Sequence, residues 1–236
     1  MTRHCFIVTS AINSRFGIYS PKERLAQTLD TIQSIHQHAP GSKIIIMECT
    51  GVPLTDEQSE VLEANSDVFI DYTTDAAVQA IYNGSDNWDV VKNSTEIMCF
   101  GRTIAQCQSD GDFDDVDRIH KMSGRYLLND DFNLSLYNNN HNILIGPKHT
   151  SQFPFEITQT EAQYMARLWS WPSELTDEIV QVYEDSLNFF AERVARGGYT
   201  DIEHVLYRFL NPAHVQEVPL LGVEGAIAPN GAAIKN

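Results

Sequence analysis

The stretch HCFIVTSAINSRFGIYSPKERLAQTLDTIQSI, residues 4–35, joins one buried strand to one helix through a polar loop. Residues 4–12 are apolar and β-branched without alternation, the pattern of a strand covered on both faces. NSRFGIYS (13–20) breaks that run. Ser20, Pro21 and Glu23 then occupy the N-cap, first and third positions of a helix, a capping box with proline where its missing amide costs nothing. Leu25, Leu29 and Ile32 follow at helical spacing, and Pro40-Gly41 ends the helix. The unit recurs downstream. KIIIMECT (43–50) is a second buried strand, TDEQ (55–58) a second capping box and DVFIDY (67–72) a third strand. Strand, helix, strand, helix, strand requires parallel pairing with helices as crossovers. The first 75 residues therefore predict an open α/β sheet of the nucleotide-binding type.

Beyond this unit, NSTE (93–96) predicts a helix start running to about Gln108, and RIHKM (118–122) predicts a fourth strand. The second half changes character. ILIG (143–146), residues 151–158 and YMARLWSW (164–171) predict further strands, mixed or antiparallel. A long helix is expected over 173–196, stopped by Gly197-Gly198. TDIE (200–203) opens a last helix with Thr200 and Glu203 as its capping pair, ended at Asn211-Pro212. VPLLGVEGAIAPNG (218–231) reads as a short strand and a turn.

The chain has 236 residues, the length of one α/β domain. Its 16 basic against 32 acidic residues give a formal charge of −16, which repels phosphate backbones and anionic membranes. Non-specific nucleic-acid binding is not expected on that ground, whereas a local basic pocket remains open. Cys5, Cys49, Cys99 and Cys107 form no C-x-x-C pair and lie in apolar or helical patterns, so buried reduced thiols and a cytoplasmic location are expected. The apolar run from Cys5 to Thr9 is too short for a signal peptide, and no stretch approaches a membrane span.

Ligands of open parallel sheets bind beyond the carboxyl ends of the strands. Those ends carry Thr9, Ser10 and Arg15, then Glu48, Asp75 and the segment KMSGRY (121–126), with Lys92 just before the expected helix start. Arg125 and Lys121 suit a diphosphate, and Ser123-Gly124 permits close backbone approach. The same segment reads equally as a solvated turn. Asp130 and Asp131 are either ligands of a divalent ion bridging a diphosphate or the acidic first turn of a helix. SDGDFDDVD (109–117) is not a calcium loop, because Asp115 stands where glycine is required and Lys121 where the closing glutamate belongs. Asp201, Glu203 and His204 offer a general base or a helix cap. Trp169 and Trp171 share one strand face, as core or as a platform for a sugar ring. His36 and His38 share no helix face, and His214 is either a structural histidine or a late metal ligand.

Three segments resemble a group of small glycosyltransferase-like proteins of phages, large DNA viruses and bacteria. They are VTSAINSRFGIYSPKERLAQTLDTIQSI (8–35), KNSTEIMCFGRTIAQC (92–107) leading into DRIHKMSGRYLLNDDFN (117–133), and RLWSW (167–171) followed by YTDIEHVLYRFL (199–210). The resemblance implies a GT-A-like three-layer α/β/α sandwich as a single domain. Residues 1–133 would be the nucleotide-sugar-binding half and 134–236 the acceptor half. Where that fold usually places Asp-x-Asp for a divalent metal, this chain has Ser-Gly-Arg-Tyr. Either Arg125 and Lys121 then replace Mn²⁺ or Mg²⁺ as counter-charge, or Asp130 and Asp131 hold the ion from just downstream. By the same resemblance Thr9, Ser10, Arg15, Glu48 and Lys92 line the donor pocket, and Asp201 or Glu203 is the base near the acceptor. The implied activity is sugar transfer from a nucleotide-sugar to a hydroxyl of a glycan, lipid or protein. The alternatives are a nucleotidyltransferase on a related sheet, which would carry a glycine-rich signature after the first strand, and a non-catalytic nucleotide- or glycan-binding module.

Overall fold

The computed structural model describes residues 2–226 and 233–235. Its centre is a seven-stranded sheet in the order β10-β6-β9-β4-β1-β2-β3. β1 (His4–Ser10), β2 (Lys43–Glu48), β3 (Val68–Asp71) and β4 (Arg118–Ser123) run parallel. β9 (Leu168–Pro172) lies antiparallel between β4 and β6 (Ile143–Ile145), and β10 (Val215–Glu217) pairs parallel with β6. The sheet is mostly parallel with a mixed second half, as the sequence predicts.

Burial on both faces explains why the central strands carry no polar alternation. Phe6, Val8, Ile44, Ile46 and Met122 pack with α1 (Pro21–His38) and α2 (Asp56–Ala64). Cys5, Ile7, Ile45, Met47 and Ile119 point the other way into α4 (Trp88–Ser109), α6 (Thr176–Ala195) and α7 (Ile202–Phe209). Trp169 and Trp171 are fully buried on this second face, ring to ring at 4.9 Å, and so serve as core rather than as a sugar platform. All four cysteines are free and buried. Among the described residues no helix is long and apolar enough to cross a membrane.

Two of the predicted capping pairs form, Ser20 with Glu23 and Thr55 with Gln58. Elsewhere the structure differs. α4 begins at Trp88 with Asn87 as its cap, so NSTE lies inside the helix and Lys92 sits in its second turn. A further helix, α3 (Ala76–Gly84), capped by Asp75, precedes it. Residues 151–158 form no strand: Phe155–Thr158 is a single helical turn, α5, preceded by β7 (His149–Thr150). Of YMARLWSW only the end belongs to β9, with β8 (Ala162–Gln163) pairing β7 upstream. Asp201, not Thr200, caps α7, because its carboxylate accepts the His204 amide at 2.9 Å. The predicted tail strand is β11 (Val223–Ala226), held between β5 (Tyr126–Leu128) and β12 (Ala233–Lys235); the expected turn at 227–231 lies outside the described residues.

Gly124 fixes how the segment after β4 leaves the sheet. Its amide bonds the Thr9 carbonyl at 2.9 Å. A Cβ there would stand 3.0 Å from that oxygen and 3.1 Å from Thr28 Oγ1. Gly124 thus sits where the chain packs closely on itself. Gly124→Ala should cost about 1–3 kcal/mol, read by urea denaturation, because backbone oxygen cannot give way as a side chain can.

Candidate functional site

A cavity of about 350 Å³ opens at the carboxyl ends of β1, β2 and β4. The parallel register sets Thr9 beside both Met47 and Ser123, so residues far apart in sequence arrive at one edge. β1 and its loop contribute Thr9, Ser10, Ser14, Arg15, Phe16 and Gly17, and the turn after β4 contributes Ser123, Gly124 and Arg125. α4 supplies Trp88, Lys92, Thr95 and Glu96, and α3 supplies Tyr82.

The loop after β1 is held by Arg24 at the start of α1. Its guanidinium donates to the carbonyls of Ala11 (3.2 Å), Phe16 (2.8 Å) and Tyr19 (3.3 Å). Gly17, at φ +90°, makes room for it, since a Cβ would come within 2.7 Å of the guanidinium. Arg15 lies over Phe16 and Tyr82, with centroid distances of 4.7 and 5.0 Å, and also bonds the Ser85 carbonyl. With the half-exposed Trp88 this rim offers aromatic faces to a planar base.

Glu48 is fully buried beneath the cavity and does not line it. It accepts from Ser10 Oγ (2.6 Å) and from the amides of Ile12 (3.0 Å) and Thr50 (3.1 Å), tying the ends of β1 and β2 together. Burial raises its pKa against those bonds. Lys121 is likewise internal: it pairs with Glu96 at 3.0 Å and donates to Ser123 Oγ and the Ala166 carbonyl, both at 2.7 Å. Burial alone would raise the pKa of Glu96, but Lys121, Lys92 and Arg125 outweigh it and hold the carboxylate below its ordinary value.

Lys92 and Arg125 are left as the cavity's unengaged cations. Neither makes a side-chain hydrogen bond or an ion pair within 4 Å among the described residues. Burial works against the charge of Lys92, yet Glu203 and Glu96 raise its pKa. Glu203 thereby enters the site's electrostatics from α7. Its own pKa is raised to about 7, by burial first and by the charge of Asp201 second.

Asp201 itself is consumed by structure. Its carboxylate takes the amide of His204 (2.9 Å), His204 Nδ1 (2.6 Å) and the Tyr199 hydroxyl (3.0 Å). His204 is fully buried and reaches Ser151 Oγ with Nε2 at 2.9 Å. The start of α7 is also tied to α4, because Asn93 Oδ1 accepts the Ile202 amide at 3.2 Å while its Nδ2 donates to Asp89. Asn93→Ala should therefore cost ~1–3 kcal/mol by leaving a buried amide unsatisfied. It should also loosen the start of α7, seen as faster hydrogen exchange of the Ile202 amide.

Asp130 and Asp131 are not brought to the cavity. From Gly124 the chain runs along α1: Thr28 Oγ1 bonds the Gly124 carbonyl, Thr31 Oγ1 the Tyr126 carbonyl and the Leu128 amide Ser34 Oγ. Arg24 to Ser34 spans roughly 15 Å at 1.5 Å per residue, so the two aspartates emerge near the far end of the helix. They lie exposed on a turn in which Asn129 Oδ1 accepts the Asp131 amide, and no helix starts there. Among the described residues no group of three or more His, Cys, Asp or Glu is placed to hold a metal ion. The histidine of the late segment, His214, pairs with Glu178 at 2.8 Å. The donor set at the cavity, cations and hydroxyls with one carboxylate already paired, does not fit the divalent ion that the resemblance implies.

Sequence reading overlooked Glu96, Tyr82, Phe16 and Trp88. Glu96 had a signal, since it lies four residues from Lys92 and so shares its helix face. Tyr82 had none without α3.

No family model matches the sequence, and no curated protein matches it. Solved structures do. Core-mannan synthase A of Aspergillus fumigatus, in a Mn/GDP form, is 9% identical over 92% of this chain and 73% of its own, with a TM-score of 0.51. A protein of Desulfovibrio desulfuricans described as a nucleotide-diphospho-sugar transferase is 14% identical over 93% and 80%, at 0.46. The 4-diphosphocytidyl-2C-methyl-D-erythritol synthase of Anaerococcus prevotii is 8% identical over 100% and 91%, at 0.45. At such identities the likeness is one of fold. The mostly parallel sheet, its helices on both faces and the likeness to the mannan synthase define a GT-A-like fold.

Proposed function

We propose that this chain is a glycosyltransferase that uses a nucleoside diphosphate sugar and needs no divalent metal. The observation that carries the reading is that Lys92 and Arg125 line the cavity at the carboxyl edge of the sheet with no ion-pair partner within 4 Å among the described residues, while Glu203 on α7 acts electrostatically on Lys92. In a chain of charge −16, free cations at a ligand edge are best explained by an anionic ligand. The base lies against the rim of Phe16, Tyr82 and Trp88, and the diphosphate faces Arg125 and Lys92. Glu203 takes the proton of the acceptor hydroxyl as its oxygen attacks the anomeric carbon. The bond from that carbon to the diphosphate breaks, and the charge left on the diphosphate is met by the two cations.

The test is a thermal-shift panel of nucleotides and nucleotide-sugars with EDTA or Mn²⁺. A ligand confined to the folded state raises Tm. The expected result is a selective rise with one nucleoside diphosphate and its sugar, equal in EDTA and Mn²⁺. A rise with nucleoside triphosphates alone moves the assignment to nucleotidyl transfer, and no rise with any nucleotide removes the transferase reading.

A further inference from the structure

A second cavity, of about 410 Å³, lies against the exposed face of α7. Glu203 and Tyr207 are four residues apart on that helix and so share one face, roughly 6 Å apart. Tyr207 lines the second cavity together with Tyr164, whose amide donates to the Glu203 carbonyl at 3.1 Å. The cavity therefore starts one helical turn from the carboxylate whose charge acts on Lys92 of the first cavity.

Its walls are aromatic and polar in alternation. The Tyr164 and Tyr207 rings stand 5.7 Å apart at 54°, and Phe155, also in the wall, is 50% exposed. Such rings offer faces to the C–H side of a pyranose, while Gln159 and Glu161 offer hydrogen bonds to its hydroxyls. The charges present do not make an anion site. Arg208 is already engaged, with Nη1 on the Gln159 carbonyl at 2.9 Å and its guanidinium over Phe189 at 4.4 Å. Lys148 makes no ion pair among the described residues, but Glu161 stands in the same wall and offsets its charge. The polar groups interrupt the apolar surface that an acyl chain would need.

We propose that this cavity binds a neutral oligosaccharide, as the subsite for the acceptor chain whose terminal hydroxyl reaches Glu203. This rests on the transferase reading of the first cavity. It narrows the acceptor from glycan, lipid or protein to an uncharged glycan at least two sugars long. The first sugar lies at Glu203 and the next against Tyr207 and Tyr164.

The test is a glycan microarray of neutral, sulfated and phosphorylated oligosaccharides. It is probed with the parent chain, Tyr207→Ala and Tyr207→Phe, with nucleotide thermal shifts run alongside. The parent should retain a neutral glycan. Tyr207→Ala should lose at least tenfold of that signal, Tyr207→Phe should keep most of it, and the nucleotide-induced rise in Tm should be the same in all three. The subsite is overturned if the parent retains no glycan, prefers the charged ones, or binds equally well as Tyr207→Ala. Glycan retention that depends on Tyr207 without any nucleotide shift supports the subsite and removes the transferase reading; a nucleotide shift without glycan retention does the reverse.

Discussion

Glu203→Gln should lower kcat by about 10²–10⁴-fold, the usual contribution of a positioned general base, with nucleotide affinity kept. On the proposed reading the base is Glu203 rather than Asp201, whose oxygens are spent on the His204 amide, His204 Nδ1 and Tyr199. The base must be ionised to accept a proton. With a pKa of about 7, kcat/KM in the parent should rise with pH through neutrality and level off above it. The variant should lack that limb. Stability moves the opposite way. A carboxyl whose folded pKa exceeds its unfolded one binds its proton more tightly when folded, so stability is lost as pH rises from about 4.5 to about 7. Glu203→Gln removes that loss and should be more stable than the parent at pH 8, by up to ~3 kcal/mol. Urea denaturation of both proteins at pH 5 and pH 8 checks it. A variant that keeps its activity and its pH limb would show that the proton goes elsewhere.

Signals between neighbouring residues and the parallel architecture were legible, whereas the partners of individual side chains were not. The capping boxes at Ser20 and Thr55 are closed by residues three positions away, so sequence suffices to see them. NSTE carries the same letters, but Asn93 satisfies the Ile202 amide, 109 residues distant, and the helix runs straight through. Lys121 looked like a diphosphate ligand because strand-end position was visible while its partner Glu96 was not. The same limit applies to Asp130 and Asp131. Nearness in sequence to Arg125 implied nearness in space, whereas hydrogen bonds from Thr28, Thr31 and Ser34 lead the chain away along α1. What sequence conveyed well was the edge of the sheet at which Thr9, Ser10, Arg15, Ser123, Gly124 and Arg125 meet, because parallel strands joined by helical crossovers place their carboxyl ends on one side.

Arg125→Ala should weaken nucleoside diphosphate binding by about 10–100-fold, the loss of one or two charge-assisted hydrogen bonds at ~1.5–3 kcal/mol. Its Tm without ligand should stay within a degree or two of the parent's, because the side chain makes no hydrogen bond or ion pair among the described residues whose removal would matter. Removing it also withdraws a positive neighbour from Arg24, whose pKa is lowered by burial and then by Arg125, so the β1 loop gains rather than loses. Arg125→Lys keeps the charge without the planar fork and should recover only part of the affinity. The contrast with a metal site lies in the salt and chelator responses. Two fixed cations meeting a diphosphate are screened as ionic strength rises, whereas EDTA removes nothing they depend on. Isothermal titration of the parent with the diphosphate, at low and high salt and with EDTA, should give an affinity that falls with salt and ignores the chelator. An affinity abolished by EDTA and restored by Mn²⁺ would mean that the cations are not the counter-charge, and that the ion is held by groups that the fold brings in only with the donor bound.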